Sequence, residues 1–217
     1  RNKNVSGLIL EGVCGSGKST LLRALLSSPR YSQRLCLTSI VLTEHHTQRV
    51  LEAKEEVGGL ILADNLALLD GHARNVEGLR DRVDAMPWRE DRPTKMHVPF
   101  IFERFHLTHA CHYGHVAWDD VVDIDTRLAA MDTKLCLLTA EPAQLAQRLA
   151  TRANPRWREH IRQLGHSVEE IVGHYTAQQE VFQTFCEKSA LEIRVIDTSA
   201  RDVPSLCDEV LNFWGVV

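Results

Sequence analysis

Leu8-Ile9-Leu10-Glu11-Gly12-Val13-Cys14-Gly15-Ser16-Gly17-Lys18-Ser19-Thr20-Leu21-Leu22 is the stretch that decides the fold. From Gly12 to Ser19 it satisfies G-x-x-x-x-G-K-[ST] at every fixed position, with an apolar run before it and the helix-forming Leu21 to Leu26 after it. Strand, glycine turn and helix in succession aim backbone N–H groups and the positive end of a helix dipole at one point, which suits a polyphosphate. Gly12, Gly15 and Gly17 permit the close backbone approach that such a turn needs. On this reading Lys18 neutralises the β- and γ-phosphates of ATP and Ser19 ligates Mg²⁺ through its hydroxyl. Ser16 and Thr20 complete the loop that holds the nucleotide.

The rest of the chain is read outward from that loop. Its 217 residues are 44% hydrophobic and 25% charged, a globular composition with enough apolar material for one core. One domain, residues 1–217, is expected. The formal net charge of -4 gives no general attraction to phosphate backbones, so a nucleic-acid partner is not expected and any anion site must be local. No apolar run approaches the roughly 20 residues of a membrane-spanning helix. The first residues show no apolar leader, and the expected location is the cytoplasm. Six scattered cysteines without a C-x-x-C pair read as reduced thiols. Cys14, although inside the phosphate loop, is given no chemistry.

Short β-branched runs alternate with longer amphipathic stretches, which predicts a parallel sheet covered by helices on both faces. Strands are expected at Gly7 to Leu10, Leu35 to Leu42, Val98 to Glu103, Lys134 to Thr139 and Glu192 to Ile196. Helices are expected at Ser19 to Ser27, Thr47 to Leu69, Leu107 to Met131 with a break near Gly114, Pro142 to Arg152, Ser167 to Lys188 and Pro204 to Phe213. Asp84 to His97 reads as a loop. The result is a three-layer α/β fold with a five-stranded parallel sheet.

A triphosphate site leaves the choice between phosphotransferase, regulatory switch and motor. The chain has no N-K-x-D to read guanine and no L-S-G-G-Q of a transporter ATPase, which favours a kinase of small molecules. Phe100-Ile101-Phe102-Glu103-Arg104-Phe105 is an apolar strand that ends in an acid and a base. A carboxylate there can support Mg²⁺, and Arg104 can reach the acceptor or the transferred phosphate.

Glu103-Arg104-Phe105, followed by Thr108, Ala110 and Tyr113, resembles the D-R-[YH]-x-x-S stretch of thymidylate kinases and the E-R-S stretch of deoxynucleoside kinases. The resemblance implies a P-loop nucleoside or nucleotide kinase using ATP and Mg²⁺, and a homodimer is common among such kinases. It places Glu44, at the end of the second strand, near the acceptor as general base or positioning group. It makes Glu141-Pro142, Arg148 and Arg152 the approach to an arginine-bearing lid near residues 151–165. It also sets Val195 to Ser199, with Asp197 and Thr198, along the adenine. The chain departs from the thymidylate-kinase pattern with Glu44-His45-His46-Thr47 and with Phe105, which argues against thymidine monophosphate as acceptor.

The lid also has a physical argument, because phosphoryl transfer is mostly positioning and charge stabilisation. Arg148, Arg152, Arg156 and Arg158 are candidates for that work, against a simple solvated helix face. His106, His109, His112 and His115, spaced by three, could line an acceptor pocket, be structural, or hold a metal. Their spacing is not the i, i+4 pair typical of zinc sites. The expected activity is ATP-dependent phosphorylation of a small acceptor, a nucleoside or nucleoside monophosphate by resemblance. A kinase of another hydroxyl-bearing metabolite or antibiotic, and a non-catalytic switch, are the alternatives.

Overall fold

The computed structural model describes residues 5–34, 39–85, 97–151, 165 and 167–215. Strands β1 (Val5–Glu11), β2 (Ile40–Leu42), β3 (Val98–Glu103), β4 (Thr133–Thr139) and β5 (Glu192–Asp197) form one sheet in the order β2-β3-β1-β4-β5. Every strand pair is parallel. The apolar runs fit this role because successive side chains feed opposite faces. Ile9, Phe100, Phe102, Leu135 and Leu137 enter one core, whereas Leu8, Leu10, Ile101, Cys136 and Leu138 enter the other.

Helices α1 (Lys18–Ser27), α2 (Pro29–Arg34), α3 (Glu44–Thr47), α4 (Glu52–Glu56), α5 (Leu62–Ala85), α6 (His106–His112), α7 (Trp118–Ala129), α8 (Pro142–Thr151), α9 (Val168–Lys188) and α10 (Val203–Trp214) connect the strands. Side chains of α1 and α10 fill the core on one face, and those of α5, α6, α7, α8 and α9 fill the other. The three-layer parallel architecture expected from the alternation is thus observed. β1 is central: the chain leaves it toward β2 on one side and leaves β3 and β4 toward the other, so a crevice opens at its carboxyl end.

Three elements differ from the sequence-based expectation. The helix expected over Thr47 to Leu69 is broken into α3, a 3₁₀ turn (Arg49–Leu51) and α4 before α5 begins at Leu62. Gly58, at φ 67°, and Gly59 end α4, since a left-handed residue closes a helix and stops the hydrogen-bond ladder. The second strand is confined to Ile40–Leu42, and residues 35–38 lie outside the described residues. α5 runs on to Ala85, beyond the start of the loop expected from Asp84. None of the helices is long and apolar enough to cross a membrane, among the described residues.

Candidate active site

β1 delivers the chain into a tight turn and α1 carries it away. Gly12 and Gly17 have φ of 138° and 95°, conformations closed to most side chains. A Cβ on Gly12 would stand 2.3 Å from the Leu138 carbonyl oxygen. The turn therefore requires glycine where β4 passes.

Lys18 is buried and folds back over this turn, donating to the Gly12 and Val13 carbonyls at 2.7 Å each. Burial, reinforced by the nearby Arg104 charge, pulls its amine down to about 7. Ser16 is buried beside it, and Thr20 is exposed on the first turn of α1.

Ser19 Oγ donates to Glu103 Oε1 at 2.6 Å, bringing the start of α1 to the end of β3. The Glu44 backbone N–H lies 3.4 Å from the other Glu103 oxygen. Arg104 Nε stands 2.8 Å from Glu44 Oε2, an ion pair off the axis of a hydrogen bond. Burial on its own would raise the Glu44 carboxyl, but Arg104, Lys18 and Arg49 outweigh it and hold Glu44 below the usual carboxylate range. Lys18, Ser19, Glu44, Glu103 and Arg104 therefore share one crevice at the carboxyl ends of β1 and β3. A hydroxyl hydrogen-bonded to a carboxylate, both hard oxygen donors, fits Mg²⁺ or its bound water.

On the opposite flank, Arg148 of α8 donates to the Gly15 carbonyl at 3.0 Å, to Thr198 Oγ1 at 2.9 Å and to the Thr198 carbonyl at 2.6 Å. The Thr198 hydroxyl lies 2.9 Å from the Ser16 carbonyl and 3.0 Å from that of Thr139, so its single proton serves both. Arg148 and Thr198 tie the phosphate loop to the loop after β5. Asp197 faces elsewhere: it is exposed and accepts from the Ser199 N–H and hydroxyl, which hold it below its ordinary range. Arg152, Arg156 and Arg158, with nearly all of the expected lid, lie outside the described residues.

The histidine stripe divides. His106 Nε2 pairs with Asp125 at 2.9 Å, and both are buried. His109 bridges Asn65 at 3.1 Å and the Thr47 carbonyl at 2.8 Å. Burial drives His109 down to about 4. His115 reaches the Asn65 oxygen at 2.8 Å. No cluster of three or more His, Cys, Asp and Glu side chains able to hold a metal is present among the described residues. His112, Tyr113 and His115, with Glu55, Gly58 and Leu60, line a cavity of about 200 Å³.

Two residues at the site carried little sequence signal. Thr47 Oγ1 donates to the Glu103 carbonyl at 2.6 Å, although Thr47 read only as the start of a helix. Glu11 is buried beneath the Glu103-Arg104-Phe105 turn and accepts from its backbone. An acid closing an apolar strand was the one available clue to it.

No protein-family model matches this sequence, and comparison with curated proteins found no match. Solved structures do match. The YorR protein from Bacillus subtilis, in complex with phosphorylated GDP, superposes with a TM-score of 0.55 at 13% identity, covering 95% of this chain and 94% of that one. Shikimate kinase from Bacteroides thetaiotaomicron superposes at 0.52 with 16% identity, covering 96% and 97%. APE1195 superposes at 0.53 with 12% identity, covering 100% and 98%. At such identities the likeness speaks to fold. The sheet order, the glycine turn and these neighbours together define a P-loop NTPase fold.

Proposed function

We propose that the protein is an ATP-dependent phosphotransferase acting on a small acceptor. The observation that carries this reading is the convergence of Lys18, Ser19, Glu103, Arg104 and Glu44 in one crevice. A half-buried arginine paired with an acid beside the phosphate loop suits the charge stabilisation that phosphoryl transfer needs.

In this reading the Gly12 to Thr20 loop cradles the triphosphate through its backbone N–H groups, and Lys18 exchanges its bonds to the loop carbonyls for bonds to phosphate. Ser19 and Glu103 would hold Mg²⁺, which would supply positive charge against the triphosphate. Arg104 stabilises charge on the group in transfer. Glu44, held ionised by Arg104, is a weak base and so orients the acceptor rather than removing its proton. Arg148 and Thr198 brace the phosphate loop on the nucleotide side. Arg152 and Arg156, outside the described residues, would add positive charge for the transferred phosphate.

The acceptor is a nucleoside or nucleoside monophosphate, the substrate class implied by the Glu103-Arg104 stretch. The cavity lined by Glu55, His112, Tyr113 and His115 is its candidate pocket, because these polar side chains gather around the end of α6, the helix that follows the Glu103-Arg104 turn. Related folds serve other hydroxylated acceptors too, as the shikimate kinase shows.

The test is ADP release from Mg-ATP across a panel of nucleosides, nucleoside monophosphates and hydroxylated metabolites, with Lys18→Ala as control. ADP release that depends on one acceptor class and is lost in the variant supports the proposal. ATP binding with no acceptor-dependent turnover would sink it in favour of a switch.

A further inference from the structure

Arg104 is one of two non-glycine residues with positive φ among the described residues, at φ 58°. A side chain leaving a left-handed backbone points in a different direction from one leaving the usual strand or helix conformation. The approach of Arg104 to Glu44 therefore depends on this backbone state, which must be held from outside because it is unfavourable by itself.

Three groups hold it. The Arg104 N–H donates to the Leu10 carbonyl at 3.0 Å. Thr47 Oγ1 donates to the Glu103 carbonyl at 2.6 Å. The third group is one side chain that accepts three bonds. Glu11 Oε1 accepts from the Phe105 N–H at 2.8 Å and from the Thr108 N–H at 3.3 Å, while Glu11 Oε2 accepts from the Thr108 hydroxyl. Glu11 is 0% exposed. A fully buried carboxylate is costly unless its oxygens are satisfied, and these bonds go to the residue after Arg104 and to the first turn of α6.

We propose that Glu11 is a positioning residue: it locks the peptide after Arg104 so that the guanidinium faces Glu44 and the phosphate loop. The catalytic consequence rests on the phosphotransferase reading above, whereas the geometric one does not. Capping of α6 alone is the rival account. It accommodates the Phe105 and Thr108 bonds but predicts no effect on charges in the crevice.

The position of Arg104 gives a readout that needs no acceptor. Crystal structures without nucleotide would be determined for wild type, Glu11→Ala, Glu11→Gln and Thr108→Val, reading the Arg104 φ and the Arg104–Glu44 separation. Turnover with the best acceptor would be measured beside them for these variants, for Arg104→Met and for the Glu11→Ala/Arg104→Met double variant.

Wild type should keep Arg104 at positive φ beside Glu44. In Glu11→Ala the Arg104 backbone should leave the left-handed region and the guanidinium should part from Glu44, in Thr108→Val less so, and in Glu11→Gln little, since its amide oxygen still accepts from Phe105. Turnover by Glu11→Ala should fall at least roughly tenfold with KM for ATP within about twofold, the pattern of an interaction used in the transition state, and the double variant should be little slower than Arg104→Met. An unmoved Arg104 in folded Glu11→Ala would overturn the proposal. If that variant does not fold, an unmoved Arg104 in Thr108→Val does the same. Absence of turnover by wild type with every acceptor would remove the phosphotransferase reading while leaving the Arg104 geometry to decide the role of Glu11.

Discussion

The Ser19 hydroxyl donates a 2.6 Å hydrogen bond to the Glu103 carboxylate, linking the first turn of α1 to the end of β3. If the pair supports Mg²⁺, removing either group should weaken metal retention. Ser19→Ala and Glu103→Gln are each expected to raise the Mg²⁺ concentration for half-maximal ATP binding by roughly 10- to 100-fold, the range for groups that hold or orient a metal. The double variant should lose less than the product of the two. Titration of Mg²⁺ at fixed ATP checks this, and strictly multiplicative losses would separate the two residues.

Lys18 sets a pH dependence for nucleotide binding. Its free amine titrates near 7 because of burial and Arg104, and a bound triphosphate favours the charged form. Below pH 7 the amine is already charged. Above it, binding must take up a proton, so affinity should fall with rising pH by up to about tenfold per unit. Calorimetry of Mg-ATP binding at pH 8 in buffers of different ionisation enthalpy should show proton uptake that disappears in Lys18→Met.

Gly12 has no room for a side chain: an added Cβ would lie 2.3 Å from a β4 carbonyl, at φ 138°. Gly12→Ala should cost about 2–4 kcal/mol of stability from clash and backbone strain, together with ATP binding. Gly59→Ala, where the nearest atom to a new Cβ is 3.7 Å away, should stay within about 0.5 kcal/mol. Urea unfolding of both variants makes the comparison.

His109 is fully buried between Asn65 and the Thr47 carbonyl, and burial holds it neutral down to about pH 4. The unfolded chain binds this proton near pH 6.5, so stability is lost as pH falls between those values. Between pH 7 and pH 5 the loss from this residue is about 2 kcal/mol. Urea unfolding at the two pH values should show it, and His109→Gln should remove most of the difference while being less stable at pH 7.

The alternation of apolar runs and the G-x-x-x-x-G-K-S stretch made the three-layer sheet and the phosphate turn legible, because both are local patterns. Period-two burial and a glycine turn between a strand and a helix are written in neighbouring residues. The break at Gly58-Gly59 was legible in principle, yet the apolar positions on either side keep a helical spacing and hid it. Nothing local distinguishes His109, fixed between Asn65 and Thr47, from His112, which stands 3.9 Å from Glu55.

The chain by itself determined the fold class and the position of the phosphate turn, since strand, glycine turn and helix follow from adjacent residues. Only the tertiary structure decided that Ser19 meets Glu103 across 84 positions and that Glu11 fastens Phe105 across 94. It also decided that Lys18 is buried beside Arg104, which brings its amine near neutrality. These relations arise because parallel pairing of β1 with β3 brings two distant strand ends to one edge of the sheet. Burial there strengthens charge interactions that no spacing along the chain records.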